Sequence, residues 1–296
     1  MHWALRTVII IVVILLVVSL AAAVISSAKL NRTYAIAQGS LALTIPGDAA
    51  SVARGRHVVE AIGVCTECHA ANLSGSVMAD VPPFRLVAPN LTRGIGGVGR
   101  TFTDADFVRA IRYGVGPDNK ALVVMPSDYF AHFSDADLAD IIAYVKSVPT
   151  VDNELPDTDI RPLGRALLAA GQVPPMPADL IDRSVRPPAT MPVTATVAYG
   201  HYLATVALCI SCHGAGLSGS GGPLHGGPPS QNITPTGIGK WSAADFTHAI
   251  RTGTRPDGTR IDTAMPWPIF ARMNDTELTA LFKYLRTVPP RPTGND

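Results

Sequence analysis

Cys65, Cys68 and His69 fall within five residues, and Cys209, Cys212 and His213 repeat the arrangement. They lie in AIGVCTECHAANLSG (61–75) and TVALCISCHGAGLSG (205–219), and they use all four cysteines of a 296-residue chain. Three chemistries employ cysteines this closely spaced. A structural zinc site takes four ligands, which two Cys-x-x-Cys pairs commonly supply. Here the pairs are far apart, so a shared site would have to bridge two domains. A redox Cys-x-x-Cys normally accompanies a βαβ pattern, and none is legible. Cys-x-x-Cys-His is the attachment sequence of c-type haem. In that chemistry both thiols add to the haem vinyl groups and the adjacent histidine ligates the iron. Two intervening residues let one helical turn present both sulfurs together. Occurring twice, with no thiol left over, the motif predicts two covalently attached c-type haems on Cys65, Cys68, Cys209 and Cys212. His69 and His213 are then the proximal iron ligands.

Haem iron held by histidine alone is open to small ligands; a second strong ligand closes it, and methionine raises the reduction potential. Of seven methionines, one pair recurs in equivalent positions: Met125 and Met265, each in a Met-Pro dipeptide. Methionine also fills cores, but the matched context points to Met125 and Met265 as distal ligands. Met78 lacks a counterpart and reads as loop packing; Met273 matches Phe133 and reads as apolar filler. His57, His132, His201 and His248 align with polar or charged residues and are expected at the surface. His225, in a glycine-rich loop, is a rival ligand. Arg112 and Arg251 end matching helices, as partners of haem propionates or as solvated helix ends. Trp241 can donate an N–H to a propionate, whereas its counterpart Phe102 cannot.

These residues must be positioned by a duplicated unit, because the sequence matches itself at an offset of roughly 140 residues. Pro89-Asn90-Leu91-Thr92 meets Gln231-Asn232-Ile233-Thr234, and the stretch from Asp106 to Gly114 meets that from Asp245 to Gly253. Leu138, Ile141, Ile142 and Val145 meet Leu278, Leu281, Phe282 and Leu285, the i, i+3, i+4, i+7 spacing of an amphipathic helix. Ser134 and Asn274 are its expected N-caps, with a capping box to Glu277 in the second copy, and Pro149 and Pro289 stop it. Thr103 and Ser242 open the preceding helix, which Gly114 and Gly253 close. A further helix precedes each cysteine pair, at 50–62 and 197–207. The expected fold is all-α, without strands. Repeats cover 48–150 and 196–290; a proline-rich linker, 151–195, holds one short helix over 162–170 and packs across both through Leu163, Leu167, Leu168 and Ile181.

Residues 7–28 form an uncharged apolar run, long enough to span a bilayer and longer than the apolar core of most signal peptides. The expectation is a single-pass anchor; the small residues near its end keep cleavage open. Flanking charge, Arg6 against Lys29 and Arg32, orients it only weakly. Because c-type haem is attached outside the cytoplasm, the body is expected on the periplasmic side of the cytoplasmic membrane. A net charge of +1 gives no reason to expect nucleic acid.

With its haem motif, an Asn-Leu/Ile-Thr loop, Gly-Ile-Gly (94–96 and 237–239), the Ala-Asp-Phe helix and Met-Pro, each repeat resembles a class I cytochrome c domain. It looks most like modules of the cytochrome subunits of membrane-bound alcohol and gluconate dehydrogenases, and like membrane-anchored dihaem cytochromes c. The resemblance implies the attachment and ligand roles already given. It also implies that Gly55 packs against Tyr144, and Gly200 against Tyr284. The function implied is relay of single electrons between a donor at the membrane or in the periplasm and a terminal acceptor, with redox proteins as partners and no chemistry on a substrate. The alternative is the cytochrome subunit of a periplasmic dehydrogenase. A dihaem peroxidase is the enzyme-class rival, disfavoured by two methionine ligands.

Overall fold

A computed structural model of the chain describes residues 2–219 and 229–294. It is mostly helical, and its residue contacts divide it into two units that cut across the sequence repeats. The first comprises Met1–Ala42, Ser74–Asp128 and Val151–Asp182; the second comprises Leu43–Leu73, Tyr129–Thr150 and Arg183–Asp296.

The first unit begins with α1 (His2–Leu30), whose apolar side chains are exposed along its length and whose one buried residue is Ser26. By length and composition it can cross a membrane. A small antiparallel sheet follows: β1 (Ser76–Val81) pairs with β2 (Phe84–Ala88), and β2 with β3 (Asp159–Ile160). Its hairpin places Val81 opposite Phe84, and a register shift falls between Val77 and Ala79. The sequence reading expected no strands. Both faces of β1 are largely exposed, so no in-out alternation marks it, and the pairing is made by the backbone. Helix α4 (Asp104–Tyr113) starts in a Thr103–Asp106 capping box and ends at Gly114, whose φ of +63° suits glycine. Two short linker helices, α7 (Pro162–Ala169) and α8 (Pro177–Leu180), complete the unit.

In the second unit, α2 (Ala49–His57) runs into a π-helical turn over Val58–Ile62, which ends just before the first haem motif. It packs against α6 (Asp135–Ser147), as α9 (Val197–Val206) packs against α14 (Asp275–Leu285). Both crossings require glycine. A Cβ on Gly55 would fall 1.8 Å from the Asp140 carbonyl oxygen, and one on Gly200 would fall 2.0 Å from that of Ala280. Gly200 also meets Tyr284, as the resemblance implies. The three atoms nearest a Gly55 Cβ belong to the Asp140–Ile141 backbone, and the Tyr144 hydroxyl donates to Glu60 at 2.7 Å. Asn274 and Glu277 form the expected capping box, and the Ser134 side chain caps α6.

The linker splits between the units after Asp182. Leu168 is buried as expected, but Leu163 is 52 % exposed. His132, His201 and His248 are exposed. His57 is not a free surface residue: its Nε2 lies 2.8 and 2.9 Å from the two carboxylate oxygens of the buried Glu277. An aligned tyrosine signalled polarity there, and only packing of the two repeats supplied the partner.

Candidate haem sites

Each cysteine pair and its histidine lie on one short helix, α3 (Cys65–His69) and α10 (Cys209–His213). The backbone around them is matched in both copies. Val64 and Leu208 enter in the left-handed region, at φ 47° and 61°. Ala70 and Gly214 leave at φ 64°, ψ 162° and φ 79°, ψ 165°, where glycine is at home and alanine is strained. Leu73 and Leu217, both buried, again take positive φ, and Gly75 and Gly219 share φ +80°. Both copies of the segment therefore hold one unusual backbone path, and that path isolates a single turn carrying two sulfurs and an imidazole.

The imidazole of His213 is buried, and its Nδ1 lies 2.6 Å from the Gln231 carbonyl oxygen. A carbonyl only accepts, so Nδ1 carries the proton and Nε2 keeps its lone pair, the state of a histidine ready to ligate a metal. Burial pushes its pKa down and keeps the ring neutral. The loop supplying this carbonyl is stapled to α10 by Ser230 Oγ, which donates to the Cys212 carbonyl at 2.6 Å. It is also tied to the end of the repeat by Asn232, whose amide donates to the Arg291 carbonyl at 2.8 Å and accepts from Thr234 N at 2.9 Å. In the first repeat Asn90 does the same with Val151 (2.7 Å) and Thr92 N (2.9 Å). In the second repeat the Asn-x-Thr motif is thus a staple for the loop whose carbonyl orients His213. The Gln231 carbonyl was invisible to sequence reasoning because it belongs to the backbone; its only signal was its place beside Asn232. His69 is buried as well.

Burial pushes the Cys65 and Cys209 thiols up to about 12. Zinc binding and disulfide exchange need thiolates, which form where the pKa is lowered, so these environments suit neither. Among the described residues, no group of three or more His, Cys, Asp or Glu side chains converges as a metal site.

Met125 and Met265 are half-buried at the start of two short helices, α5 (Ser127–Phe130) and α13 (Trp267–Phe270), beyond α4 and α12 (Ala243–Thr252) respectively. Each Met carbonyl accepts from the amide two residues on, Ser127 N at 2.8 Å and Trp267 N at 2.7 Å. Each turn is docked on the preceding helix end. Ser127 Oγ donates to the Ala110 carbonyl at 2.9 Å, while the Trp267 indole covers Gly253 so closely that a Cβ there would lie 2.4 Å away. The Trp267 N–H is buried without a protein acceptor among the described residues, a donor suited to an anionic group such as a haem carboxylate. Sequence reasoning gave that role to Trp241, which is half-buried. Arg251 is committed to the Ala271 carbonyl and to Asp275; Arg112 is buried rather than solvated. Met78 is exposed in β1, and Met273 is core filler as expected. His225 lies outside the described residues. Paired sulfurs on one turn, a neutral oriented imidazole and a buried unmatched donor all fit covalently held haem.

Comparison with known proteins agrees. The cytochrome c family pattern matches residues 52–149 and again 197–289, well over half of the chain. The cytochrome c subunit of alcohol dehydrogenase (quinone) from Gluconobacter oxydans is 39% identical over 102 residues, covering 30% of this chain and 21% of its own length. The fructose dehydrogenase cytochrome subunit of Gluconobacter japonicus is 35% identical over 123 residues, 36% of this chain and 25% of its own. The gluconate 2-dehydrogenase cytochrome c subunit of Pantoea cypripedii is 38% identical over 102 residues, 30% and 22%. The chain thus spans no more than a quarter of the length of these relatives. Two family matches, each containing a Cys-x-x-Cys-His turn of the same backbone form, place the chain in the cytochrome c family, whose haem c is covalently bound.

Proposed function

We propose that the chain is a membrane-anchored dihaem cytochrome c that relays single electrons from a membrane or periplasmic donor to a terminal acceptor. The observation carrying this reading is the duplicated left-handed path around α3 and α10, which isolates the same Cys-x-x-Cys-His turn twice. When bound, haem c supplies a one-electron couple; the residues of the chain set where it lies and how readily it is reduced. Cys65 and Cys68, and Cys209 and Cys212, would fix the two groups. His69 and His213 would ligate from one side, with the Gln231 carbonyl holding the His213 ring in its tautomer. Met125 and Met265 would ligate from the other, delivered by the matched Met-Pro turns. The domain limits proposed are 48–150 and 196–290, joined by 151–195. Residues 7–28 would anchor the chain, a reading supported by the length and apolarity of α1, with the haem-bearing part on the periplasmic side because c-type haem is attached outside the cytoplasm.

A second reading is favoured by the relatives, which are named as cytochrome subunits of alcohol, fructose and gluconate dehydrogenases. In it the donor is a periplasmic dehydrogenase bound to this chain. Intact-mass measurement of the mature protein tests the shared core. Two added porphyrin masses are expected, and none or one ends the relay reading. Purification from native membranes then separates the two readings, since a stably associated dehydrogenase is expected only in the second.

A further inference from the structure

Helix α7 has two apolar faces. Gly164 and Leu168 point inward: Leu168 is buried, and a Cβ on Gly164 would fall 2.2 Å from the Pro83 carbonyl oxygen. Leu163, Ala166 and Ala170 are exposed, with Leu167 half-buried between them. Their i, i+3, i+4, i+7 spacing makes one stripe with no charge in it. One exposed leucine is ordinary; a second apolar stripe on a helix already packed by its first is not explained by the fold.

The placement of α7 indicates what covers the stripe. It packs against α1, and Lys29 Nζ donates to the Leu168 carbonyl at 2.9 Å. Asp179 accepts from Arg32 Nη1 at 2.7 Å and from the Tyr34 hydroxyl at 2.8 Å, while Tyr34 N donates to the Asn119 carbonyl at 2.8 Å. Tyr34 is itself core, packed with Val115 and Ala178. No free joint separates the end of α1 from the body of its unit. The exposed large apolar residues of α1 continue to Ile25, and its buried residue is Ser26. A hydrocarbon core takes about 20 helical residues, so a bilayer filled by the exposed part of α1 ends near Ser26. That is the end of α1 to which Lys29 ties α7.

We propose that α7 is an interfacial helix, with Leu163, Ala166, Leu167 and Ala170 resting in the headgroup boundary of the bilayer that α1 crosses. The inference rests on the anchor reading above. No acidic residue occurs from Arg161 to Ala178, and the two arginines lie on the far side of the helix from the stripe, Arg161 paired with Asp80 and Asp159 and Arg165 Nε donating to the Ile160 carbonyl at 3.0 Å. An uncharged apolar stripe on a helix held at the end of a membrane span suits the lipid boundary. The first unit then presents a fixed face to any membrane-embedded donor instead of swinging on a tether.

The test uses full-length, haem-loaded protein in nanodiscs of phosphatidylethanolamine and phosphatidylglycerol. Because thioether formation consumes the native thiols, Leu163→Cys, Ala166→Cys, Ala170→Cys and, as a reference on an exposed turn, Asp257→Cys can each carry one nitroxide. Collisions with oxygen, which concentrates in lipid, are compared with those of a water-soluble nickel chelate. Oxygen should dominate at the three α7 positions, as for labels about 5–10 Å below the headgroups, and the chelate at position 257. Chelate dominance at 163, 166 and 170 overturns the proposal. So does shielding from both probes, which would mean that protein covers the stripe. Intact mass of the same samples reports whether α1 is retained: its loss overturns the anchor reading together with the proposal, whereas a negative result with α1 present overturns the proposal alone.

Discussion

His57 of the first repeat and Glu277 of the second form an ion pair across the junction between repeats, with Nε2 within 2.8 Å of a carboxylate that is 2 % exposed. Glu277 also closes the capping box of α14 by accepting from Asn274 N at 2.7 Å. Close by, the Tyr202 hydroxyl donates to Asp137 and accepts from Ser134 N at 3.1 Å. One carboxylate therefore serves a helix start and an inter-repeat contact at once.

This pair should make stability fall on the alkaline side. The hydrogen bond to Glu277, aided by that carboxylate's charge, raises the pKa of His57 against the opposing effect of burial. A raised folded-state pKa contributes stability that is complete below the unfolded value, near 6.5, and is lost as pH rises through the folded value. His57→Gln should therefore cost roughly 1–2 kcal/mol at pH 6, a figure reduced for the third of His57 that meets solvent, and progressively less by pH 9. Urea unfolding of the holoprotein across that range checks it; a cost independent of pH would refute it.

Replacing Ala70 by glycine should stabilise the protein. Ala70 occupies a φ/ψ region where a Cβ costs on the order of 1 kcal/mol, and Gly214 already fills the equivalent position. Ala70→Gly should raise Tm by roughly 2–4 °C and Gly214→Ala should lower it by a similar amount. Calorimetry of both variants decides the matter.

At the helix crossings the effect should be larger. Gly55→Ala and Gly200→Ala each place a methyl within 2.0 Å of a carbonyl oxygen, so α2 must separate from α6, or α9 from α14. The expected cost is about 3 kcal/mol each, the upper range for overpacking, read from denaturant midpoints.

Loosening the Asn232 staple should be felt at His213. Asn232→Ala removes the bonds to Arg291 and Thr234 N and frees the loop whose carbonyl holds the His213 N–H. A loss of roughly 1–3 kcal/mol is expected from the buried groups left unpaired. One of two reduction potentials should also rise, because a weaker bond at Nδ1 makes the ligand less basic. A redox titration with unchanged potentials would show the staple to be structural only.

The ligand proposal has its own check. Met125→Ala and Met265→Ala should each abolish one methionine-to-iron charge-transfer band and lower one potential. An unaltered spectrum in either variant removes that methionine from the coordination sphere.

The chemistry was legible in one dimension because it is local. A haem motif needs its cysteines and histidine on one turn, so spacing alone pointed to Cys65, Cys68 and His69 and to Cys209, Cys212 and His213. The capping residues Thr103, Ser242 and Asn274 were readable for the same reason, since a cap acts within three residues. Duplication then singled out Met125 and Met265 as the proposed distal ligands, because this pair recurs in a matched Met-Pro context. The weak spots were contacts made through the backbone or across long separations. The Gln231 carbonyl that orients His213 has no side-chain signature. The β1–β2 hairpin lacks an in-out pattern because neither face of β1 is deeply buried. His57 could not announce Glu277, 220 residues away, and Leu163 looked like core until α7 was found to bury its other side. Local geometry and periodicity are written in the chain; which surfaces meet, and which buried charge finds which partner, depend on burial that only the folded structure creates.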